Sequence, residues 1–327
     1  MRPGPADPLA HHGDVEARGL LDLAVNVFPG PPPGWLSEAM HAALDASGSY
    51  PDPTAAERAL AVRHGRAPGE VLATAGAAEA FTLLARRPWR RPVVVHPQFT
   101  EPHAALREAG HDVTTVLCGD GFGLPAVPDD ADLVVVGNPT NPTGVLHPRA
   151  EITALARPGR TVVVDEAFMD AVPHEPETLT GEPGVVVTRS LTKIWGIPGV
   201  RAGYLVGPDD LVAELRRTQP LWSVSGVAAA ALLACASADP TERAIEQRAW
   251  REALEKGLAD LGVEVVSSSA PFVLARVGDG VHASLRRAGI AVRRCDTFPG
   301  LGPDWVRIAA RPPDVTHRLL TALKEIR

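Results

Sequence analysis

The sequence contains no apolar run that could cross a membrane. Its longest apolar stretch, at about 227–236, is far short of the roughly 20 residues that a membrane-spanning helix requires. Residues 1–12 carry prolines and charges but lack the apolar centre of a secretory signal. We therefore expect a cytoplasmic protein without a membrane partner.

Cysteine is scarce, and its three copies, Cys118, Cys235 and Cys295, form no CxxC pair. This spacing argues against both a disulfide framework and a zinc site. We expect each cysteine to be a small packed residue rather than a catalytic thiol, and we expect no metal site.

Basic residues do not predominate, because 39 acidic residues stand against 32 lysines and arginines and give a formal net charge of -7. A nucleic-acid-binding domain usually carries a basic stripe, so we expect no nucleic-acid partner. The length of 327 residues and the apolar fraction of 45% instead predict a globular protein with a large core and about two domains.

The sequence does contain a regular alternation of short β-branched runs and helical patterns. The runs predict buried strands of a mostly parallel sheet, at 93–96, 131–136, 161–164 and 184–188. The helical patterns that accompany them lie at about 77–85, 101–109 and 149–156. This βαβ order predicts an open α/β domain, in which ligands bind at the carboxyl ends of the strands.

The pattern changes at about residue 240. A long charged helix precedes three further strands and predicts a smaller α+β domain, with these elements at 241–261, 264–266, 272–275 and 305–308. We expect three parts: an N-terminal arm that joins the small domain (1–35), a large cofactor-binding domain (36–220), and a connecting helix with the small C-terminal domain (221–327).

The first candidate site segment is the small-residue turn Gly76-Ala77-Ala78, which opens a helical pattern. Its small side chains would let backbone N–H groups approach an anion at the positive end of the helix. An ordinary turn before a helix has the same composition, so this segment alone leaves both interpretations open.

The second segment, Asn138-Pro139-Thr140-Asn141-Pro142-Thr143-Gly144, follows the run at 131–136. Two prolines fix its backbone and would present an asparagine side chain rigidly. Such a side chain suits a donor to the phenolic oxygen of a pyridine cofactor. The alternative is a plain proline-rich turn.

The third segment places Asp165 and Glu166 at the end of the run at 161–164. A carboxylate here could pair with a protonated ring nitrogen and so keep the ring an electron sink. The same two acids could also bind Mg²⁺ or cap a helix.

The fourth segment, 190–204, contains Lys193 among hydroxyls and glycines. Ser190 and Thr192 precede the lysine, and Arg201 follows it by eight residues. The lysine could form an imine, while the hydroxyls and the guanidinium could hold a phosphate. A lone lysine is usually a solvated surface charge, but the order of the four segments predicts a site for a phosphorylated pyridine cofactor.

These motifs resemble those of the fold-type I pyridoxal-phosphate (PLP) enzymes, the class I and II aminotransferases, nearly from end to end. The resemblance implies an α/β fold with a mixed, mostly parallel seven-stranded sheet and a smaller α+β domain. It also implies PLP as the cofactor. Lys193 would be its imine partner, Asp165 the partner of its pyridine nitrogen and Asn141 the partner of its 3-oxygen.

The same resemblance implies the surroundings of the cofactor. Phe99 would stack on the ring, and Tyr50 would reach the phosphate of the neighbouring subunit, which implies a homodimer. The residues implied around the phosphate are Gly76, Ala77, Ala78, Ser190, Thr192 and Arg201.

The resemblance implies a small-molecule substrate, an amino acid or an amine phosphate. Arg307 resembles the arginine that binds the α-carboxylate of a substrate that has one. Arg293 resembles a second arginine associated with the substrate phosphate. Asn26 and His12 would line the substrate entrance; the alternative for them is a packed strand residue and a turn.

Within the family, the motifs resemble the branch of histidinol-phosphate aminotransferases and threonine-phosphate decarboxylases. Phe168 stands where aminotransferases usually have tyrosine, and Pro173-His174-Glu175 also resembles the decarboxylase. We therefore expect a carboxy-lyase that acts on L-threonine O-3-phosphate in cobalamin biosynthesis. The alternative is an aminotransferase of the histidinol-phosphate type that uses 2-oxoglutarate and glutamate.

A different class of protein, a regulator that only senses PLP or an amine, would need a DNA-binding module. The sequence has neither an N-terminal helix-turn-helix pattern nor a basic stripe, which disfavours that class.

Overall fold

A computed structural model of the protein describes Leu9 and residues 13–326. His12, expected near the substrate entrance, lies outside the described residues. The described chain contains the strands β1 (Leu21–Leu23), β2 (Val71–Ala75), β3 (Pro92–His96), β4 (Thr114–Leu117), β5 (Leu133–Gly137), β6 (Thr161–Asp165), β7 (Val185–Ser190), β8 (Ala202–Val206), β9 (Glu264–Val265), β10 (Phe272–Arg276), β11 (Ile290–Arg294) and β12 (Trp305–Ala309). Its α-helices are α1 (Asp14–Ala17), α2 (Gly34–Asp45), α3 (Thr54–His64), α4 (Ala77–Ala85), α5 (Glu101–Glu108), α6 (Arg149–Thr153), α7 (Asp209–Thr218), α8 (Gly226–Ala236), α9 (Thr241–Asp260), α10 (Val281–Arg287) and α11 (Pro313–Ile326).

Seven strands form one mixed sheet in the order β2-β8-β7-β6-β5-β3-β4. The strands from β7 to β4 run parallel, while β8 runs antiparallel to both of its neighbours. Helices α4, α5 and α7 cover one face, and α3, α6 and α8 cover the other. Because both faces are covered, the central strands are nearly continuous valine runs. The sheet confirms the predicted α/β fold class.

The second sheet has five strands in the order β1-β11-β12-β10-β9. Strand β1 pairs in parallel with β11, and the remaining pairs are antiparallel. Helices α9, α10 and α11 pack their leucines against the strands of this sheet. The N-terminal segment thereby supplies a strand to a sheet that otherwise consists of residues from the last quarter of the chain.

Each predicted β-branched run forms a strand, and the helix predicted at 241–261 is α9. The patterns do not predict β1, β2, β4, β8 or β11. Strand β8 gives no clear sequence signal because Gly203 lies in its interior, where glycine usually weakens a strand. A Cβ at Gly203 would lie 2.6 Å from the carbonyl carbon of Gly76, so the close approach of the turn between β2 and α4 to β8 requires this glycine.

Among the described residues, no helix combines the length and the apolar character that a membrane crossing requires.

Candidate active site

A cavity of about 570 Å³ lies between the carboxyl ends of the large-sheet strands and the small sheet. Pockets that hold cofactors and substrates have volumes in this range. Twelve of the predicted site residues line it: Asn26, Ala77, Ala78, Phe99, Asn141, Asp165, Ser190, Thr192, Lys193, Arg201, Arg293 and Arg307.

Asp165 is the last residue of β6 and is buried at the cavity. Its carboxylate accepts hydrogen bonds from the Ala167 amide (3.1 Å) and the Thr188 hydroxyl (3.3 Å). Burial raises the pKa of Asp165 to about 6, and these hydrogen bonds and the charge of Lys193 offset only part of that rise. A cation bound against this carboxylate would therefore relieve the cost of burying it.

Glu166 points away from the cavity, because successive residues at a strand end face opposite sides. Its carboxylate lies 2.9 Å from Nε of Arg189 and accepts a hydrogen bond from the Leu179 amide (2.6 Å). Arg189 is fully buried and also pairs with Asp170 (2.7 Å) and Glu175 (2.5 Å). The two adjacent acids thus belong to different sites, and Glu166 belongs to a buried ion-pair network.

Lys193 lies three residues beyond the end of β7 and extends into the cavity. Its Nζ is 6.0 Å from the centre of the Phe168 ring. Its carbonyl oxygen accepts a hydrogen bond from the Phe28 amide (2.9 Å). Lys193 is half-buried and lies beside an apolar ring, so it differs from the solvated surface lysine that is the usual case.

One end of the cavity combines several donors, and we call it the phosphate cradle (Gly76, Ser190, Thr192, Arg201 and the start of α4). Gly76 precedes α4 with a φ of 77°, and a Cβ on it would press on the Arg201 guanidinium, with Cζ only 3.0 Å away. The Ser190 and Thr192 hydroxyl oxygens are 2.8 Å apart. A helix start, two hydroxyls and a guanidinium suit a phosphate dianion.

Arg293 of β11 and Arg307 of β12 are direct partners in the antiparallel ladder. Both line the cavity and are buried, with 2% and 6% of their surfaces exposed. Arg293 donates hydrogen bonds to the Thr297 hydroxyl (2.7 Å) and to the Arg294 carbonyl (2.6 Å). Guanidinium groups bind carboxylates and phosphates through charge-assisted hydrogen bonds, so this pair in the cavity can bind an anion.

Arg307 also contacts two predicted site residues of other elements. Its Nη1 donates to Oδ1 of Asn141 (2.5 Å), and its Nη2 donates to the Ala24 carbonyl (2.6 Å). With its amide oxygen toward the guanidinium, Asn26 accepts from Nε of Arg307 at 3.0 Å. Because the Asn141 oxygen is used in this way, its amide nitrogen is the atom that can donate to a ligand.

Tyr50 does not line the cavity of its own chain. Its side chain is 77% exposed and stacks on the ring of Trp222, with 4.4 Å between the ring centres. Trp222 is itself 55% exposed. The structure therefore separates Tyr50 from the other predicted site residues.

The whole segment 24–27 lines the cavity, although the sequence motifs indicate only Asn26 as a site residue. Ala24, Val25 and Val27 contribute backbone groups and apolar surface, which leave no chemical signal in a sequence. Glu101 also lines the cavity, and its charge two residues after Phe99 is a signal that could have identified it.

Comparison with known proteins places this site in a family. The family model described as aminotransferase class I and II matches residues 18–323. The chain belongs to the class I and II aminotransferases. A Mycobacterium tuberculosis protein named histidinol-phosphate aminotransferase is 46% identical over 322 residues, which cover 93% of this chain and 88% of that protein. The threonine-phosphate decarboxylase of Salmonella typhimurium is 32% identical over 341 residues, covering 94% and 91%.

Solved structures agree on the fold of this aminotransferase-family chain. The histidinol-phosphate aminotransferase from Clostridium acetobutylicum aligns with a TM-score of 0.88 at 24% identity, over 94% of this chain and 99% of that one. The L-threonine-O-3-phosphate decarboxylase from Porphyromonas gingivalis aligns with a TM-score of 0.82 at 26% identity, over 93% and 98%. The histidinol-phosphate aminotransferase and the threonine-phosphate decarboxylase, the two activities of the branch that the motifs resemble, therefore both have this fold.

The cofactor of this family member is PLP, as the motifs indicated. The residues present fit it. The phosphate cradle excludes a side chain at Gly76, and buried Asp165 calls for a cation such as a protonated ring nitrogen. The comparisons support the transferase interpretation better than the carboxy-lyase that the motifs led us to expect, although both activities occur among the relatives.

Proposed function

We propose that the protein is an aminotransferase of the histidinol-phosphate type, which exchanges an amino group between a phosphorylated amine and 2-oxoglutarate or glutamate. The observation that carries the proposal is the buried arginine pair, Arg293 and Arg307, beside Lys193 in one cavity. The phosphate of one substrate and a carboxylate of the other would bind this pair in turn. The relative at 46% identity supports the same assignment.

In this proposal, Lys193 would hold the cofactor covalently. Once the substrate amine has taken its place and freed its Nζ, the lysine would move a proton at the substrate Cα. Bound PLP would supply an electron sink for the electrons left at that carbon. Asp165 would keep the ring nitrogen protonated, and the Asn141 amide nitrogen would donate to the 3-oxygen. Phe99 would pack against the ring face.

The phosphate cradle fixes the other end of the cofactor through N–H, hydroxyl and guanidinium donors. Arg307 would exchange its hydrogen bonds to Asn141 and to the Ala24 carbonyl for contacts with the negative charge of the substrate. Asn26 orients the guanidinium during this exchange, because it accepts from Nε at the base of the fork.

The deciding assay supplies histidinol phosphate with 2-oxoglutarate and measures glutamate. Turnover should require the keto acid, and no CO₂ should be released. Turnover without any keto acid would contradict the proposal.

A decarboxylase is the second candidate, because Phe168 faces the cavity 6.0 Å from Lys193 Nζ. A phenylalanine has no hydroxyl that could donate to the cofactor from this position. The matching assay supplies L-threonine O-3-phosphate without a keto acid and measures CO₂. Stoichiometric CO₂ would replace the first proposal by this one.

The covalent role of Lys193 is tested with Lys193→Ala. The wild-type protein with PLP should absorb in the visible, and the variant should lose that band. A band that survives in the variant and can be reduced by borohydride would assign the attachment to another residue.

The role of Arg293 is tested with Arg293→Ala, and Arg294→Ala is the matched control. Arg294 is the next residue of the same strand but pairs with Asp296 at the surface. Loss of a charge-assisted contact should raise KM for the phosphorylated substrate about 10- to 100-fold, with little change for an unphosphorylated one. An equal rise for both substrates would remove the proposed phosphate contact.

We also propose a homodimer in which Tyr50 serves the cavity of the neighbouring subunit. The exposed stack of Tyr50 on Trp222 outside its own cavity supports this arrangement. Mixing Tyr50→Ala with Lys193→Ala should restore activity, because a mixed dimer has one cavity with both residues. Absence of recovery in a mixture shown to contain mixed dimers would contradict the proposal.

A further inference from the structure

The large sheet fixes the chain only on the N-terminal side of Lys193. Strand β7 ends at Ser190, and the Leu191 amide still donates to the Ala202 carbonyl of β8 (3.2 Å). Beyond Lys193 the chain leaves the sheet. The position of the Lys193 side chain therefore depends also on contacts made by the residues that follow it.

Two consecutive carbonyl groups at this point accept hydrogen bonds from other parts of the molecule. The Lys193 carbonyl accepts from the Phe28 amide at 2.9 Å, and the Ile194 carbonyl accepts from Nη1 of Arg243 at 3.0 Å. Phe28 directly follows the cavity-lining segment 24–27, and Arg243 lies in the first turn of α9. The turn that carries Lys193, which we call the lysine loop (residues 191–196), is thus bonded to Phe28 and to α9.

The Arg243 guanidinium lies against two aromatic rings. Its Cζ is 4.1 Å from the centre of the Phe28 ring and 5.6 Å from the centre of the Trp195 ring. In the described part of the chain its contacts are these rings and a carbonyl, not a carboxylate. A planar guanidinium can stack and donate at once, which an ammonium group cannot do.

The packing of Phe28 on the loop leaves little freedom. Gly196 has a φ of 70°, and a Cβ on it would lie 3.2 Å from the Phe28 carbonyl oxygen. A displacement of Phe28 would therefore be transmitted directly to the backbone around Lys193.

We propose that Arg243 is a positioning residue for Lys193. It fixes the lysine loop through Ile194 and Phe28, and so determines where the Lys193 amine stands relative to Asp165 and Asn141. This inference rests on the covalent role proposed for Lys193. Because Arg243 does not line the cavity, its loss should change the reactivity of the lysine more than the affinity for substrate.

The test compares Arg243→Met with Arg248→Met. Methionine keeps an apolar stem but removes the planar cation and its donors. Arg248 lies on the same helix, is exposed, and pairs with Glu252 (2.7 Å), so it is a matched control. Two readouts are needed, both on PLP-loaded protein: the pH midpoint of the visible absorption band, and kcat and KM for whichever of histidinol phosphate and threonine phosphate turns over.

Arg243→Met should shift the band midpoint by about 0.5 pH unit or more, because the lysine nitrogen moves relative to its charged neighbours. It should lower kcat about tenfold and change KM by less than about twofold, as expected for a misplaced catalytic group. Arg248→Met should match the wild-type protein in all three quantities.

A band midpoint and a kcat equal to those of Arg248→Met would overturn the proposal, even if thermal stability falls. If Arg243→Met does not fold, Arg243→Lys is measured in its place, and wild-type values for it would also overturn the proposal. If Lys193→Ala keeps the band, the underlying role of Lys193 fails. If Lys193→Ala loses the band but the Arg243 variants have wild-type band midpoints and kcat, the positioning role of Arg243 fails and the covalent role of Lys193 stands.

Discussion

Removal of the Asp165 charge should stabilise the protein in the absence of PLP. Burial raises the pKa of this carboxyl from 3.8 to about 6. A rise of about 2 units corresponds to ~3 kcal/mol of unfolding free energy. A group with a raised pKa contributes its full stability below the unfolded value near 3.8, and this contribution is lost as the pH rises through about 6.

Asp165→Asn has the shape of the protonated acid and carries no charge. We therefore expect cofactor-free Asp165→Asn to exceed the cofactor-free wild type by up to ~3 kcal/mol at pH 8. The difference should vanish below about pH 4. Urea unfolding at a series of pH values measures it.

Asp239→Asn is the control, and it should change the unfolding free energy in the opposite direction. The hydroxyl and the amide of Thr241 lower the pKa of Asp239, so its charge stabilises the protein above the unfolded pKa and this contribution is lost as the pH falls. A stability difference between Asp165→Asn and wild type that is equal at pH 4 and pH 8 would contradict a pKa of Asp165 that is raised by burial. With PLP added, the sign should reverse, because Asp165→Asn deprives the ring nitrogen of its partner.

Three further predictions concern the surroundings of the site. Gly76→Ala should weaken PLP binding, measured by titration of the visible band, much more than Gly262→Ala, since both glycines have positive φ but only Gly76 faces a guanidinium. Arg189→Met should lower the unfolding free energy by about 3–5 kcal/mol in urea at pH 8, and by less at pH 5, because its carboxylate partners are buried. Ser225→Ala should cost about 1 kcal/mol in the same assay, because the Ser225 hydroxyl caps α8 by accepting from the Ala228 amide; an unchanged urea midpoint would contradict this.

The central strands could be predicted because a parallel sheet covered on both faces needs apolar residues at every position. Strand β6 (Thr161–Asp165) has such a run and is buried from its second residue onward. Strand β4 (Thr114–Leu117) is an edge strand in which half-buried and exposed residues alternate, so its signal is weak. Edge strands therefore account for part of what the patterns missed.

The cavity residues that follow strands of the large sheet were easier to identify from the sequence than those of the small sheet. They come in short motifs at the ends of successive strands, such as Lys193 with Ser190 and Thr192. Asn26 and Arg307, by contrast, meet only because β1, β11 and β12 lie side by side. No local pattern indicates that contact, and only the three-dimensional order of the strands produces it.

The position of β8 bears on the order in which the protein can assemble during synthesis. Among residues 13–326, strand β2 pairs with the large sheet through β8 alone, although roughly 130 residues separate the two strands in sequence. Pairings across such distances require loop closure and usually form late. Gly76 and Arg201 flank these two strands, so a nascent chain should be unable to capture PLP before residue 206 has left the ribosome. The cofactor would then act on the completed sheet, where it slows unfolding, and would have no part in starting the fold.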